Sequence, residues 1–233
     1  MYIDNIPDLA QARRVRASAR GIPIREGDRA VAVAYLSDGT YVSNDTIVRF
    51  DVAQGENPGR RFSAALAATG ARGLWFYGGD DAARRAAVEL NLSLTAVGMA
   101  FVRRMDPVPG DIVLRLRPPA LHDRMTLAEI VSDHAVAFAS PEVSIVERDR
   151  DIVGVALTQV LEKEWTEVRV VIAPTYRGRG LGSAAFAAIA DQLEAEGRLV
   201  CASLDTMEAR GRSALERAGF RIADYYFNAR RAR

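Results

Sequence analysis

Arg177, Gly178, Arg179, Gly180, Leu181, Gly182 and Ser183 are the residues whose types and spacing most clearly suit a chemical task. Alternating glycines let backbone N–H groups approach an anion without Cβ clashes. The apolar, alanine-rich run that follows favours a helix, and a helix start offers unpaired N–H donors and partial positive charge. Together these make a diphosphate site, and Arg177 and Arg179 add positive charge to it. A P-loop is excluded, because no lysine follows the glycines. A dinucleotide fingerprint needs Gly-x-Gly-x-x-Gly, whereas Gly178 to Ser183 read Gly-x-Gly-x-Gly-Ser. Asp205 stands at a tolerable distance for a ribose ligand. A doubly wound domain would still need several more βα units, and only residues 207–233 remain.

The elements that must position this turn are legible around it. Residues 168–172 alternate as a strand, which Pro174 ends. Residues 183–196 are rich in helix formers, with Gly197 as a stop. A buried strand over 199–204, a helix over 208–218, the pair Gly219-Phe220 and a strand over 221–228 follow. Upstream, two prolines and a glycine within residues 104–110 mark a boundary. After it come a strand over 111–117 and a helix over 121–134, with Thr126 as an internal cap. Next comes a hairpin of 143–147 and 152–160 joined by Arg148, Asp149, Arg150 and Asp151. The order from about Gly110 is β, α, β, β, β, α, β, α, β.

Arg177-x-x-Gly180-x-Gly182 after a strand ending Val-Ile-Ala-Pro resembles the acyl-CoA-binding motif of the GCN5-related N-acetyltransferases, the GNAT superfamily. The resemblance covers roughly half the chain at motif level. It implies an α/β (α+β) fold with a central mixed, mostly antiparallel sheet flanked by helices. A domain over 108–233 would carry it, preceded by a smaller GNAT-like domain over 1–107.

The resemblance also implies acetyl-CoA as co-substrate and no metal. Backbone groups of Val170, Val171 and Ile172 would pair with the pantetheine arm. N–H groups of Arg177, Gly178, Arg179, Gly180, Leu181, Gly182 and Ser183 would hold the diphosphate. An amine, on a small molecule or a protein, would attack the thioester directly. Glu167 is the candidate base, although the customary position holds Thr166; Glu164 is the alternative. The family's usual tyrosine acid is replaced by Leu215, and its frequent asparagine by Glu208. Ser213, Tyr225, Tyr226 or solvent would then protonate the thiolate. The second reading is a non-catalytic acyl-CoA-binding or regulatory protein.

The N-terminal half carries a basic helix over 6–19 with Arg13, Arg14, Arg16 and Arg20, whose simplest role is a solvated face. Strands follow at 30–36 and 46–52, a helix at 61–69, a strand at 73–77, a helix at 81–90 and a strand at 93–103. Helix, strand, helix, strand repeats the order after the glycine turn. The half therefore reads as a degenerate internal repeat, with Asn57-Pro58-Gly59-Arg60-Arg61 where the phosphate turn should be. Tandem acetyltransferases exist in the superfamily.

Composition bounds the rest. The 233 residues are 49% hydrophobic with a net charge of +1, which calls for neither nucleic acid nor an anionic membrane. The basic tail over 228–233 is too short to argue for nucleic acid. The single Cys201 lies in an apolar strand and reads as core, and one cysteine excludes a disulfide framework, consistent with a reducing cytoplasm. Two histidines, His122 and His134, and one cysteine are poor material for zinc. The N-terminus is no signal peptide, and no apolar run reaches the length of a membrane span. Trp75 and Phe76 read as core, and Trp165 as a packing residue or a pocket wall. A homodimer is one assembly open to the chain.

Overall fold

The computed structural model describes residues 19–39, 43–131, 142–162 and 164–231. The chain divides into two compact units. Among the described residues, one comprises 19–99 and 224–231 and the other 100–223.

The first segment runs β1 (Arg20–Glu26), β2 (Arg29–Leu36), β3 (Thr46–Val52), α1 (Pro58–Thr69), β4 (Gly73–Tyr77), α2 (Asp81–Glu89) and β5 (Ser93–Arg103). The second runs β6 (Arg115–Arg117), a 3₁₀ turn (Leu121–Asp123), α3 (Arg124–Val131), β7 (Glu142–Arg148), β8 (Asp151–Glu162) and β9 (Trp165–Ile172). A 3₁₀ turn (Pro174–Tyr176), α4 (Leu181–Ala195), β10 (Leu199–Asp205), α5 (Ala209–Arg217) and β11 (Phe220–Arg230) complete it. The expected order of the C-terminal elements is present in full.

In the N-terminal unit β1, β2 and β3 pair antiparallel, β3 and β4 parallel, and β4 antiparallel with residues 226–230 of β11. In the other unit β6, β7, β8 and β9 form an antiparallel run, and β9 pairs parallel with β10. Next to β10 in the strand order stands β5, whose residues 100–103 belong to this unit. The segments share one connectivity: β1-β2-β3-α1-β4-α2-β5 retraces β7-β8-β9-α4-β10-α5-β11. Each unit takes in part of the other segment's final strand.

Local chemistry accounts for the boundaries. α1 starts at Pro58 rather than at 61, because proline suits the first helical position and the Asn57 side chain accepts from Arg60 N at 2.7 Å. α4 starts at Leu181, two residues before the expected start, with Gly180 at φ +76° as its N-cap. The β7–β8 hairpin closes on Asp149 and Arg150 with φ of +53° and +75°, the two-residue turn that follows strand twist.

The strand expected over 111–117 shrinks to three residues. Residues 111–114 find no ladder partner, and Ile112 packs beside Gly180 instead. The helix expected over 121–134 is a 3₁₀ turn running into α3; its end and His134 lie outside the described residues. So do residues 6–18 of the expected N-terminal helix. Arg20, grouped with that helix, opens the strand β1, which was not expected.

Phe62, Leu74, Phe76 and Ala229 centre the core of the N-terminal unit, all at most 2% exposed. In the other unit α4 buries Leu181, Ala185, Phe186, Ile189, Ala190 and Leu193, one apolar stripe at helical spacing. Each large side chain so buried stabilises the fold by about 1.5–3 kcal/mol relative to exposure. That packing fixes the start of α4 against β9. No helix among the described residues is long and apolar enough to cross a membrane.

Candidate functional site

β9 is paired with β8 along its whole length, from Trp165 to Ile172. On its other side it meets β10 only through Trp165, Thr166 and Glu167, opposite Leu199, Val200 and Cys201. β10 continues to Asp205 without pairing further with β9. The two strands therefore part after Glu167, and β9 residues 168–172 are left without a ladder partner on that side. Unsatisfied strand edges accept another extended chain.

The turn after β9 lies at the end of this opening. Gly178 and Gly180 have φ of +78° and +76°, conformations that L side chains rarely adopt. No side chain caps α4, and no acidic residue stands in its first turn. The Ser183 hydroxyl donates back to Gly180 O at 2.8 Å, so it leaves the first N–H groups of α4 uncapped. α1 and α2 differ: Asn57 and Asp80 cap them. A Cβ on Gly182 would meet Ala214 and Ile172 at 3.7 and 3.8 Å, ordinary contact, so packing alone does not demand glycine there.

A cleft of about 660 Å³ surrounds the turn. Val170 and Ile172 line it from β9, Phe186 from α4, and Arg210, Ser213 and Arg217 from α5. Arg177, Gly178, Gly180, Leu181, Gly182 and Ser183 line it too. Arg177 Nε donates to Ile172 O at 2.9 Å, tying the arginine to the strand end. Arg179 is not among the lining residues; its guanidinium lies 5.7 Å from the centre of the Tyr176 ring. Tyr176 is a lining residue, and its hydroxyl donates to Asp151 Oδ2 at 3.1 Å. That hydrogen bond, with burial, raises the phenol above its ordinary value.

Glu167 is 3% exposed, and the Ser203 hydroxyl donates to its Oε1 at 2.6 Å. Along β9 it alternates with Thr166, Val168, Val170 and Ile172, so it lies on the sheet face opposite the cleft-lining side chains. Thr166, on the cleft-side parity, accepts from Arg198 Nε at 3.0 Å. Val171 shares the Glu167 parity and is buried, so its backbone alone can face a ligand. Glu164 is exposed at the start of β9.

Leu215 is fully buried and has no proton to give. Ser213 is the hydroxyl of α5 that reaches the cleft. Tyr226 stacks on Trp75 with ring centres 5.0 Å apart, a packing role for both. Cys201 is buried with Sγ 3.6 Å from Thr166 O, a core position. Trp165 is buried, and His122 is exposed beside Asp123. Among the described residues no group of three His, Cys, Asp or Glu side chains is placed to hold a metal.

Sequence reasoning missed Tyr176, Arg210, Arg217 and Ser203. A signal for two of them existed: Arg210, Ser213 and Arg217 fall at i, i+3 and i+7 of a helix, which places them on one face. Ser203 and Tyr176 carry no comparable spacing signal.

A sequence model described as the acetyltransferase (GNAT) family matches residues 113–220. Among solved structures the chain is similar to an acetyltransferase of the GNAT family from Colwellia psychrerythraea. The identity is 8%, with 93% of this chain and 87% of that one covered at a TM-score of 0.77. It is also similar to a GCN5-related N-acetyltransferase from Kribbella flavida, at 16% identity over 96% of this chain and 93% of that one, TM-score 0.54. A tandem GNAT protein from the clavulanic acid biosynthesis pathway shares 13% identity over 90% and 82%, TM-score 0.52. At such identities the likeness is one of fold. No curated protein matches the chain. The glycine turn and the parted strands fall within residues 113–220, the segment that matches the acetyltransferase (GNAT) family.

Proposed function

We propose that the C-terminal domain, 108–233, transfers the acetyl group of acetyl-CoA to a primary amine. The observation that carries this reading is the parting of β9 and β10 after Glu167, which ends at the uncapped start of α4. Backbone groups of Val170 to Ile172 would receive the pantetheine arm, and the N–H groups from Arg177 to Ser183 the diphosphate. The thioester would then lie near the point where the strands part, beside Glu167. In this reading Glu167 accepts the proton that the attacking amine loses, directly or through water. Ser213 or solvent protonates the departing thiolate. The acceptor is an amine on a small molecule or a protein.

The N-terminal domain, 1–107, is in this reading a repeat that has lost its cofactor site. β3 and β4 also part early, since only Thr46 and Ile47 pair with Gly73 and Leu74. Beyond that point buried Phe50 and Phe62 pack edge to face at 5.3 Å. At the start of α1, Asn57 caps Arg60 N, and the Glu89 side chain lies where a Cβ on Gly59 would be. An anion would meet a carboxylate and a capped helix there.

Buried Leu215, at the place of the usual acid, favours a second reading in which the domain binds acyl-CoA without turning it over. Calorimetric titration with acetyl-CoA, with NAD as control, tests the site. Wild type should bind acetyl-CoA selectively. Gly180→Glu, which puts a carboxylate into the diphosphate position, should weaken binding by about tenfold or more, with circular dichroism to verify its fold. No acetyl-CoA binding by wild type would overturn both readings. Binding without turnover against a panel of amines would favour the second.

A further inference from the structure

The opening between β9 and β10 has a second face. Val170 and Ile172 turn to the cleft. Strand alternation puts Glu167, Arg169 and Val171 of β9 on the other side, with Cys201, Ser203 and Asp205 of β10 across the opening. The Ser203–Glu167 hydrogen bond of 2.6 Å shows that the two sets share that face. On the far side of β9, Gln159, Leu157 and Val155 of β8 stand opposite Glu167, Arg169 and Val171. Among these described residues Arg169 is the one cation. Its neighbours on the face, Glu167, Val171, Leu157 and Val155, are buried, and Arg169 itself is half-buried. Asp205, the charge at the mouth, is exposed, and its Oδ1 accepts from Met207 N at 2.9 Å.

Arg169 therefore stands one strand repeat beyond Glu167, about 6.6 Å along β9, on the stretch that β10 leaves unpaired. A guanidinium is a planar fork that holds a carboxylate through two parallel hydrogen bonds. Its five N–H donors let it do so besides its contacts within the protein. In the acetyl-transfer reading above, the attacking nitrogen lies by Glu167. A molecule with an amine there and an adjacent carboxylate turned toward Arg169 is an α-amino acid. We propose that Arg169 determines the acceptor: it binds the α-carboxylate of a free amino acid whose α-amine is acetylated. The proposal rests on that reading. The nitrogen forms its bond to the acetyl carbon as the C–S bond breaks. One proton leaves the nitrogen for Glu167, and the thiolate takes one from Ser213 or solvent. Peptides and proteins, whose first residue has its carboxyl group locked in an amide, are refused.

The test is steady-state kinetics on the full chain with acetyl-CoA, read as release of the CoA thiol. The acceptors are the common amino acids, their amides and short peptides that begin with the same residues. Wild type should acetylate at least one amino acid with kcat/KM about tenfold or more above that of its amide. Arg169→Gln should erase this preference by raising the KM for the amino acid, with the rate on the amide and the KM for acetyl-CoA unchanged. Arg169→Lys, which keeps the charge but not the fork, should recover part of it. Calorimetric binding of acetyl-CoA verifies that both variants fold. Amides or peptides used as well as the acids would overturn the role of Arg169 and leave the acetyl-transfer reading standing. So would a preference that survives in Arg169→Gln. No turnover of any acid, amide or peptide would overturn the proposal. Titration of wild type with acetyl-CoA then separates its failure from that of the reading beneath it, since loss of binding removes both.

Discussion

At the residue scale the proposed chemistry turns on a buried carboxylate and the hydroxyl that holds it. Glu167 is the last residue of β9 to pair with β10, and Ser203 stands two positions beyond Cys201, the last residue of β10 to pair with β9. Their 2.6 Å hydrogen bond thus spans the point where the strands part. If Glu167 is the base, Glu167→Gln should lower kcat by about a hundredfold and leave the KM for acetyl-CoA unchanged. It should also remove the acidic limb of the pH–rate profile. Ser203→Ala should lower kcat by about threefold to tenfold, again with KM unchanged. Steady-state kinetics across pH checks both. Unchanged kcat in Glu167→Gln removes this residue from the mechanism and returns attention to Glu164.

At the scale of elements, a short strand depends on one ion network. β6 has three residues, and Arg117 at its end donates to Asp123 Oδ2 and Oδ1 at 2.6 and 2.9 Å and to Glu147 Oε1 at 2.6 Å. Asp123 is 1% exposed and also accepts from Ala120 N at 2.6 Å. The Arg117 hydrogen bonds, then the Ala120 N–H, hold the Asp123 carboxyl well below its ordinary 3.8. A carboxylate whose pKa is depressed in the folded state adds stability above its unfolded pKa and loses it as pH falls toward the folded one. Asp123→Asn should therefore lower the thermal midpoint by several degrees at neutral pH. Its midpoint should also fall less than that of wild type between about pH 5 and pH 3. Differential scanning calorimetry at both pH values tests this.

The same scale shows what sequence can and cannot reveal. The runs 46–52, 73–77 and 93–103 became strands with those bounds, because they are rich in the apolar, β-branched and aromatic residues that suit a buried sheet. The glycine turn was legible because glycine spacing encodes backbone conformation. β1 was missed, since Arg25 and Glu26 mask its pattern with charge. The early parting of β9 and β10 is a matter of pairing between strands far apart in sequence, which no local pattern carries. The face on which Glu167 lies follows from strand parity, yet what fills that face does not.

At the scale of the whole molecule, two segments of one connectivity differ at the spot that matters. The start of α4 is uncapped and glycine-lined, while the start of α1 is capped by Asn57 and crowded by Glu89. Titration should therefore give one acetyl-CoA per chain. Two equivalent sites would show that the first segment still binds the cofactor and would end its description as a degenerate repeat.

The strand makeup of the units sets an order of assembly during synthesis. β4 pairs with residues 226–230, which leave the ribosome long after Tyr77 does. The first unit cannot close its sheet when its own segment has emerged; it must wait for the second segment to be translated. Until then the backbone edge of β4 and the apolar surface of Leu74 and Phe76 that Ala229 and Phe227 later cover stay exposed to other chains. The nascent protein is thus open to mispairing between the synthesis of β4 and that of β11, and β11 is the strand that ends the exposure.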